Sequence, residues 1–301
     1  MVVGAALLDD VRAAGATAVA IVGTGKNVGK TVTMRALYEA AVARGMHVGV
    51  VSAGRDGEAI DVIDRNPKPR LWLVPGTWIA SAVRTTRLLE RVELPGGVIE
   101  TACGPLQLAR VIEADYYELV GPPTVSGLRL AVEALRERCE LVLVDGAIDR
   151  LATISGGEDA VIVACGAAAA PTMTDAVEDV RTLVTRLQLP PVDEREPALR
   201  IGGALLPDVA AALLAAAEQR QVVVRSPAAV ALSGRLAQRA FAQLRLRCEQ
   251  TVNVIAVTIA PEAARRTFDP RTFLGAVAQA TGLPAYDVYA GTCAKPATWI
   301  R

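Results

Sequence analysis

Residues that build metal centres and disulfide frameworks are scarce in this sequence. It contains one histidine, His47, and five widely spaced cysteines that form no C-x-x-C pair. Zinc sites need clustered ligands and disulfide frameworks need paired cysteines, so neither is expected. Proton transfer by histidine has no candidate except His47, which stands at the start of an apolar run and is interpreted as a surface residue.

Basic patches and long apolar runs are also missing. The formal net charge is zero and only four lysines occur, which argues against nucleic-acid binding. The apolar run at 160–170 is shorter than the about 18 residues that a membrane-spanning helix needs. The first residues lack a basic segment and include Asp9 and Asp10, unlike a secretory signal. We therefore expect a cytoplasmic protein that binds neither nucleic acid nor membrane.

Strand-like and helical segments alternate through most of the chain. Near-continuous apolar runs at 17–23, 47–53, 140–146 and 159–165 are typical of strands buried on both faces of a parallel sheet. Amphipathic helical patterns lie between them. The charged stretch 189–200, with its three prolines, is the best linker candidate. This alternation predicts an α/β fold with a doubly wound parallel sheet.

The linker divides the chain into two predicted units. Residues 1–192 are predicted to form a P-loop nucleotide-binding domain, and residues 198–301 a smaller α/β unit of normal domain size. In the second unit the alternation resumes with the strand-like run IGGALL at 201–206. The sequence leaves open whether this unit is an independent domain or extends the first sheet.

The segment that carries chemistry is GTGKNVGKTVT at 23–33, between a strand pattern and a helix pattern. A phosphate loop needs this order, because glycine N–H groups and a helix N-terminus surround the phosphate oxygens. Lys30 is predicted to reach the terminal phosphates and Thr31 to bind Mg²⁺. Thr24 departs from the G-x-x-x-x-G-K-[ST] pattern at its first glycine. The alternative is a glycine-rich strand–helix turn with chance lysines. The predicted nucleotide-binding residues are Gly23, Thr24, Gly25, Lys26, Asn27, Val28, Gly29, Lys30, Thr31 and Thr33.

Acidic residues follow two of the predicted strands. Asp145 ends the run LVLVD and is predicted to hold Mg²⁺ or its water at the carboxyl edge of the sheet. Asp56, with Glu58 nearby, follows the second strand, where a switch loop would supply a metal ligand or orient water. Metal binding is therefore predicted at Thr31, Asp56 and Asp145, and catalytic roles at Lys30, Asp56 and Asp145. The alternatives are a turn-forming Asp-Gly for Asp145 and a solvated turn for the other two.

The expected cofactors are ATP and Mg²⁺. Guanine recognition in such folds usually depends on [NT]-K-x-D, and no lysine of this chain is followed two residues later by Asp. Arg55 and Arg150 are candidates for stabilising phosphate charge, although ordinary ion pairs at the surface would also explain them.

Several segments, taken in order, resemble a known family. They are GTGKNVGKTVT, SAGRDGE, ELVGPPTVSGLRLAVEAL, LVLVDGAIDR, DAVIVACGAA and FDPRTFLGAVAQATGLPAYDV. Together they resemble the KamB-like reactivation subunits that are associated with adenosylcobalamin-dependent lysine 5,6- and ornithine 4,5-aminomutases. The loop itself resembles the dethiobiotin synthetase and MinD-like branch of P-loop NTPases. The chain departs from the family at Cys165-Gly166-Ala167, where TGA is expected, and at Ala260-Pro261, where Asn-Pro is expected.

The resemblance implies an ATP-dependent accessory protein. Its implied partners are the aminomutase and a second reactivation subunit, and a homodimer is a further expectation. Such a helper would open the inactivated enzyme so that damaged cobalamin is exchanged, driven by a segment that follows the γ-phosphate. It needs no cobalamin motif of its own, and D-x-H-x-x-G is absent.

Two other functions remain open from the sequence. One is an ATP-dependent ligase or kinase of the dethiobiotin-synthetase type that acts on a small carboxylate, with VGPPTVSG lining its pocket. The other is a non-catalytic nucleotide sensor. A helper predicts slow ATP hydrolysis that a protein stimulates, whereas a ligase predicts turnover that a small acid stimulates.

Overall fold

The structure is a computed structural model and describes residues 2–52, 71–83, 91–102, 104–122, 124–145 and 159–296. Within these residues the helices are α1 (Val2–Ala13), α2 (Lys30–Ala43), α3 (Val125–Arg136), α4 (Met173–Leu187), α5 (Pro207–Ala215), α6 (Gly234–Gln243) and α7 (Pro270–Thr281). None of these described helices is both long and apolar enough to cross a membrane.

The strands alternate with the helices in the first and last parts of the chain. They are β1 (Ala18–Gly23), β2 (Val48–Ser52), β3 (Leu71–Leu73), β4 (Trp78–Ala82), β5 (Val92–Glu93), β6 (Val98–Ile99), β7 (Leu106–Val111), β8 (Asp115–Tyr117), β9 (Leu141–Asp145), β10 (Asp159–Gly166), β11 (Ala198–Arg200), β12 (Gln221–Val224), β13 (Arg245–Cys248), β14 (Asn253–Ala260), β15 (Glu262–Ala263), β16 (Arg266–Thr267), β17 (Ala285–Asp287) and β18 (Thr292–Ala294).

The central sheet has eleven strands, in the order β18-β17-β14-β10-β1-β9-β2-β4-β7-β5, with β6 also paired to β7. The strands from β17 to β4 run parallel, and antiparallel strands close both ends. The strand β1, which leads into the glycine-rich loop, lies between β10 and β9 near the middle. The predicted α/β fold with a largely parallel sheet is confirmed.

Two apolar layers cover the central sheet. One contains side chains of α1 and α2, and the other contains side chains of α3, α4 and α7. Every residue of β10 is buried, which explains its continuous apolar sequence, because helices cover both faces of a parallel strand.

The predicted second unit contributes strands to three sheets, the smallest of which is the antiparallel pair β15–β16. The strands β11, β12 and β13 form a separate parallel sheet with its own apolar core, to which α5 and α6 contribute. In contrast, β14 and β17 join the central sheet beside β10. Residues 198–301 therefore include both a small separate layer and the edge of the first sheet, the two arrangements that the sequence had left open.

The prediction of a strand at 201–206 is wrong. The strand of this region is β11, three residues long, and it falls inside the predicted linker. Ala198, Leu199 and Arg200 pair with Gln221, Val222 and Val223 of β12, whereas Gly202 and Gly203 follow in a bend. Glycines weaken a strand because they have no side chain to pack, so pairing ends before them.

Candidate phosphate-binding site

The glycine-rich loop leaves the central sheet at the carboxyl end of β1. It spans Thr24 to Gly29 and leads directly into α2, which begins at Lys30. The Thr24 N–H donates to the carbonyl of Ala164 on β10 at 3.0 Å, so the start of the loop is fixed to the neighbouring strand. This edge of a parallel sheet is where ligands bind in α/β proteins.

Two glycines of the loop occupy positions where a side chain would be strained or crowded. Gly29 has φ +90°, and a Cβ there would lie 3.4 Å from both the Ala260 Cβ and the Tyr289 hydroxyl. A Cβ on Gly25 would lie 2.9 Å from the Ala169 Cβ. Asn27 also has positive φ, which asparagine tolerates. Glycine is therefore required by backbone geometry at Gly29 and by space at Gly25.

Thr24 occupies the position at which the sequence departs from the usual motif. It is not among the residues with positive φ, so its backbone conformation is open to any residue with a side chain. The departure from glycine therefore imposes no backbone strain on the loop.

Lys30 is the first residue of α2, and its side chain folds back over the loop. Its ammonium group donates to the carbonyl oxygen of Gly25 at 2.6 Å. Burial lowers the pKa of Lys30, the nearby Asp145 carboxylate opposes that shift, and Lys26 adds to it. The lysine is thus held, partly desolvated, beside the N–H groups at the start of a helix, where an anion is favoured.

Asp145 is the last residue of β9 and faces the same edge of the sheet. It stands opposite Ile21 of β1 and Ser52 of β2 in the strand register. Burial raises the pKa of the Asp145 carboxyl, and attraction by Lys30 opposes this shift. A carboxylate in this position fits the predicted Mg²⁺ role, because Mg²⁺ is usually held by one or two carboxylates together with substrate phosphates.

Thr31 is the other described candidate for Mg²⁺. It is half-buried in the first turn of α2, directly after Lys30. The described residues contain no group of three or more His, Cys, Asp or Glu side chains arranged to hold a metal ion. Of the three residues predicted to bind Mg²⁺, the structure thus describes Thr31 and Asp145.

The remaining predicted residues differ in their surroundings. Lys26 and Asn27 are exposed, whereas Val28 is buried beneath the loop. The Thr33 hydroxyl lies 2.7 Å from the Thr258 hydroxyl of β14, and both residues are buried. That hydrogen bond joins α2 to the sheet. Asp56, Glu58, Arg55 and Arg150 lie outside the described residues.

Sequence reasoning missed the neighbours that surround the loop from other parts of the chain. Ala164 and Ala169 reach it from β10 and the turn that follows, and Ala260 and Tyr289 reach it from the ends of β14 and β17. Three of these are alanines, which carry no chemical signal. The fourth, Tyr289, is an aromatic residue that follows β17 and is exposed, and the AYDVY pattern at 285–289 is the sequence feature that could have indicated it.

A cavity of about 380 Å³ adjoins the site along the flank of α2. Thr31 lies at one end of it, and Arg35, Tyr38 and Glu39 continue its wall along the helix. The opposite wall comes from the ribbon of β3 and β8, which pair antiparallel to each other. The predicted metal ligand Thr31, in the first turn of α2 after the loop, therefore also lines the cavity.

Comparison with known proteins agrees with the geometry of the loop. Residues 9–64 match the family model described as the P-loop domain of DUF1611, a domain of unknown function (DUF1611_C). The matched range contains β1, the loop, α2 and β2. This segment is thus a P-loop domain, the class of domain that binds nucleotide phosphates.

Comparisons with solved structures and with curated proteins add no functional information. The solved structure titled "BceF Tyrosine Kinase Domain" is similar at 16% sequence identity and a TM-score of 0.33, covering 60% of this chain and 69% of that chain. A search of the curated proteins finds no match. The assignment of the loop therefore rests on the family match and on the contacts of Gly25, Gly29 and Lys30.

Proposed function

We propose that the chain binds ATP with Mg²⁺ at Gly23–Thr31 and hydrolyses ATP slowly. The observation that carries this proposal is the Lys30 ammonium, held at 2.6 Å from the Gly25 carbonyl over the loop, with the Asp145 carboxylate close enough to shift its pKa. The positively charged ammonium is therefore positioned to attract the phosphates of an incoming nucleotide. Exchange of one backbone carbonyl for charged phosphate oxygens would strengthen its hydrogen bonding.

Each residue of the site has a separate task in this proposal. The N–H groups of the loop and the first turn of α2 bind the phosphates, and Lys30 neutralises their charge. Mg²⁺, when bound through Thr31 and Asp145, would neutralise charge that develops between the β- and γ-phosphates. Asp145 would itself be stabilised by the cation, since burial alone disfavours its charged form.

Slow hydrolysis is expected because proton-transferring groups are few. His47 is the only histidine of the chain and immediately precedes β2, so it lies at the amino edge of the sheet, opposite the loop. Its backbone N–H donates to Glu140, which also precedes a strand. Among the described residues, the carboxyl edge offers the Asp145 carboxylate and phosphate contacts, which suits a protein that uses nucleotide binding to change shape.

The biological role that we propose is reactivation of an adenosylcobalamin-dependent aminomutase, together with a second reactivation subunit. Support comes from the ordered family-like segments, most of which lie beyond residues 9–64, and from the scarcity of acid–base groups. We place the protein in the cytoplasm, where such an enzyme would be its partner, and a homodimer is compatible with the same role.

A ligase or kinase acting on a small carboxylate is the second candidate. It is favoured by the cavity that begins at Thr31, because an acceptor bound there would lie next to the nucleotide. Gly121 of VGPPTVSG also reaches this edge, since a Cβ at Gly121 would overlap the Ser52 carbonyl at 1.3 Å. Ser52 is the register neighbour of Asp145.

The test is recovery of aminomutase turnover. Lysine 5,6-aminomutase and ornithine 4,5-aminomutase holoenzymes are inactivated by turnover and then incubated with fresh adenosylcobalamin and Mg²⁺. The full-length chain, or its Lys30→Ala variant, is added with ATP, with GTP, or without nucleotide. We expect recovery only with the unaltered chain and a triphosphate, with ATP at least as effective as GTP. Failure to recover either enzyme, together with ATP consumption driven by a small carboxylic acid, would favour the ligase.

A further inference from the structure

Two aromatic side chains stand exposed on the ribbon of β3 and β8. Trp72 and Tyr116 are register partners, and their exposed fractions are 44% and 57%. Their rings meet edge to face, with centroids 5.0 Å apart and planes inclined by 72°. Adjacent exposed aromatic rings suit ligand binding, because Trp and Tyr provide large, rigid contact area at low entropic cost.

The exposed pair borders the cavity that runs along α2. Met34, Val50 and Leu73 contribute apolar surface to it, and all three are buried. A volume of about 380 Å³ lies within the range of small-molecule sites, which are mostly apolar with a few polar groups that fix orientation. The cavity therefore suits a ligand with a flat, apolar body.

The cationic group that lines the cavity is Arg35. The Tyr38 hydroxyl already bonds to the Thr77 hydroxyl at 2.6 Å and accepts from the Val74 N–H at 2.9 Å. Arg35 pairs with Glu39 at 3.5 Å, but both side chains are more than half exposed. Exposed pairs of this kind contribute little, so the guanidinium can turn to an anionic ligand at small cost.

We propose that this cavity binds a small organic acid with a flat apolar body. The body packs against Trp72 and Tyr116, and the acid group is bound by Arg35. Thr31 at the end of the cavity places this ligand next to the phosphate loop. Binding requires neither nucleotide nor hydrolysis, so its success or failure is separate from that of the proposed ATP site.

The test uses 1-anilinonaphthalene-8-sulfonate, a flat aromatic anion, titrated into the full-length chain and followed by fluorescence and calorimetry. We expect one probe per chain. Trp72→Ala and Tyr116→Ala should each weaken binding about tenfold, the size expected for loss of one well-packed ring. Arg35→Ala should weaken it about fivefold, as for a charge-assisted hydrogen bond at a partly exposed site.

The matched control for the charge is Arg129→Ala, because Arg129 and Glu133 form an equivalent exposed pair on α3 at 3.7 Å. The Arg129→Ala substitution should leave the affinity for the sulfonate probe unchanged. The uncharged probe N-phenyl-1-naphthylamine should bind the unaltered chain and the Arg35 variant equally. The Lys30→Ala variant should bind the sulfonate probe with the affinity of the unaltered chain.

Three outcomes would overturn the proposal. They are equal effects of the two arginine variants, unchanged binding in both aromatic variants, and binding of several probes per chain that no cavity substitution reduces. Far-UV circular dichroism and the apparent Tm of each variant establish that the fold is retained. Should Trp72→Ala alter the fold, the more exposed Tyr116 decides the aromatic contribution.

Discussion

The first turn of α2 and the flank of the same helix are two different kinds of surface. At the first turn the described contacts centre on the backbone of the loop: the Lys30 ammonium donates to the Gly25 carbonyl, and Gly29, directly before the helix, adopts a left-handed conformation. Along the flank the cavity is lined by side chains, chiefly Trp72 and Tyr116 from the β3–β8 ribbon, which is remote from α2 in sequence. A backbone site accepts a chemical group common to many ligands, whereas a side-chain cavity selects one shape.

The largest effect that separates these surfaces is expected from Lys30→Ala. Removal of the ammonium should weaken binding of ATP with Mg²⁺ by about a hundredfold or more, since the Lys30 ammonium is held over the loop where the phosphates would bind. The apparent Tm should change little, because the lysine tip bonds one carbonyl and fills no core space. Isothermal calorimetry with ATP and Mg²⁺ measures the first quantity, and a thermal melt measures the second.

The control for that experiment is Lys26→Ala. Lys26 belongs to the same loop but is exposed. Its loss should reduce affinity only a few-fold, as expected for a screened surface charge. Equal losses in the two lysine variants would mean that the loop attracts nucleotide by net charge alone, without a specific contact from Lys30.

The local part of this architecture was predictable from sequence. The four runs at 17–23, 47–53, 140–146 and 159–165 contain or nearly match β1, β2, β9 and β10. Burial on both faces leaves a continuous apolar signal, which explains that success. The three-residue strand β11 gave no comparable signal, because its residues are only half-buried or exposed.

The residues of the candidate site also differ in how far the sequence predicts them. Gly29, Lys30 and Thr31 lie next to one another in sequence, so their order predicts a strand, a loop and a helix without further information. Tyr289 and Trp72 reach the same helix from positions far along the chain, and their contacts depend on sheet order. That order places β17 on one side of β1 and β2, whose Val50 lines the cavity together with Trp72, on the other side, which no local pattern encodes.

A smaller effect, confined to the loop side of α2, is expected from Asp145→Asn. Neutralising this carboxylate should reduce ATP affinity about tenfold when Mg²⁺ is present, because a cation ligand is lost. Without Mg²⁺ the affinity should stay equal or rise, since a negative charge near the phosphates is removed. Titrations with Mg²⁺ and with a chelator measure both. Equal losses under the two conditions would leave Asp145 with a structural role only.

The same variant should be more stable than the unaltered chain in the absence of ligands. Burial raises the pKa of Asp145 above its usual value of 3.8, so ionisation costs folding free energy at neutral pH. Asparagine avoids that cost, and its apparent Tm should be about 1–3 °C higher at pH 7. The cost disappears as the native carboxyl becomes protonated. The gain should therefore decrease as the pH falls from 7 toward 4.

The smallest functional effect is expected on the buried face of α2, which belongs to neither surface. Thr33→Val removes the hydrogen bond to Thr258 while conserving volume, and it leaves the buried Thr258 hydroxyl without its partner. An unsatisfied buried hydroxyl costs about 1–3 kcal/mol, so the apparent Tm should fall by several degrees. Affinity for ATP with Mg²⁺ and for the naphthalene sulfonate should both stay within about twofold.

The double variant Thr33→Val with Thr258→Val provides the control. Both hydroxyls are then replaced by methyl groups of the same shape, and no buried polar group remains unpaired, so most of the lost stability should return. A double-mutant cycle of unfolding free energies measures this coupling. If Thr33→Val alone weakened ATP binding strongly while the double variant did not restore it, the Thr33 hydroxyl would be a nucleotide contact, as the sequence predicted. Unchanged ATP affinity in both would make Thr33 an anchor between α2 and β14.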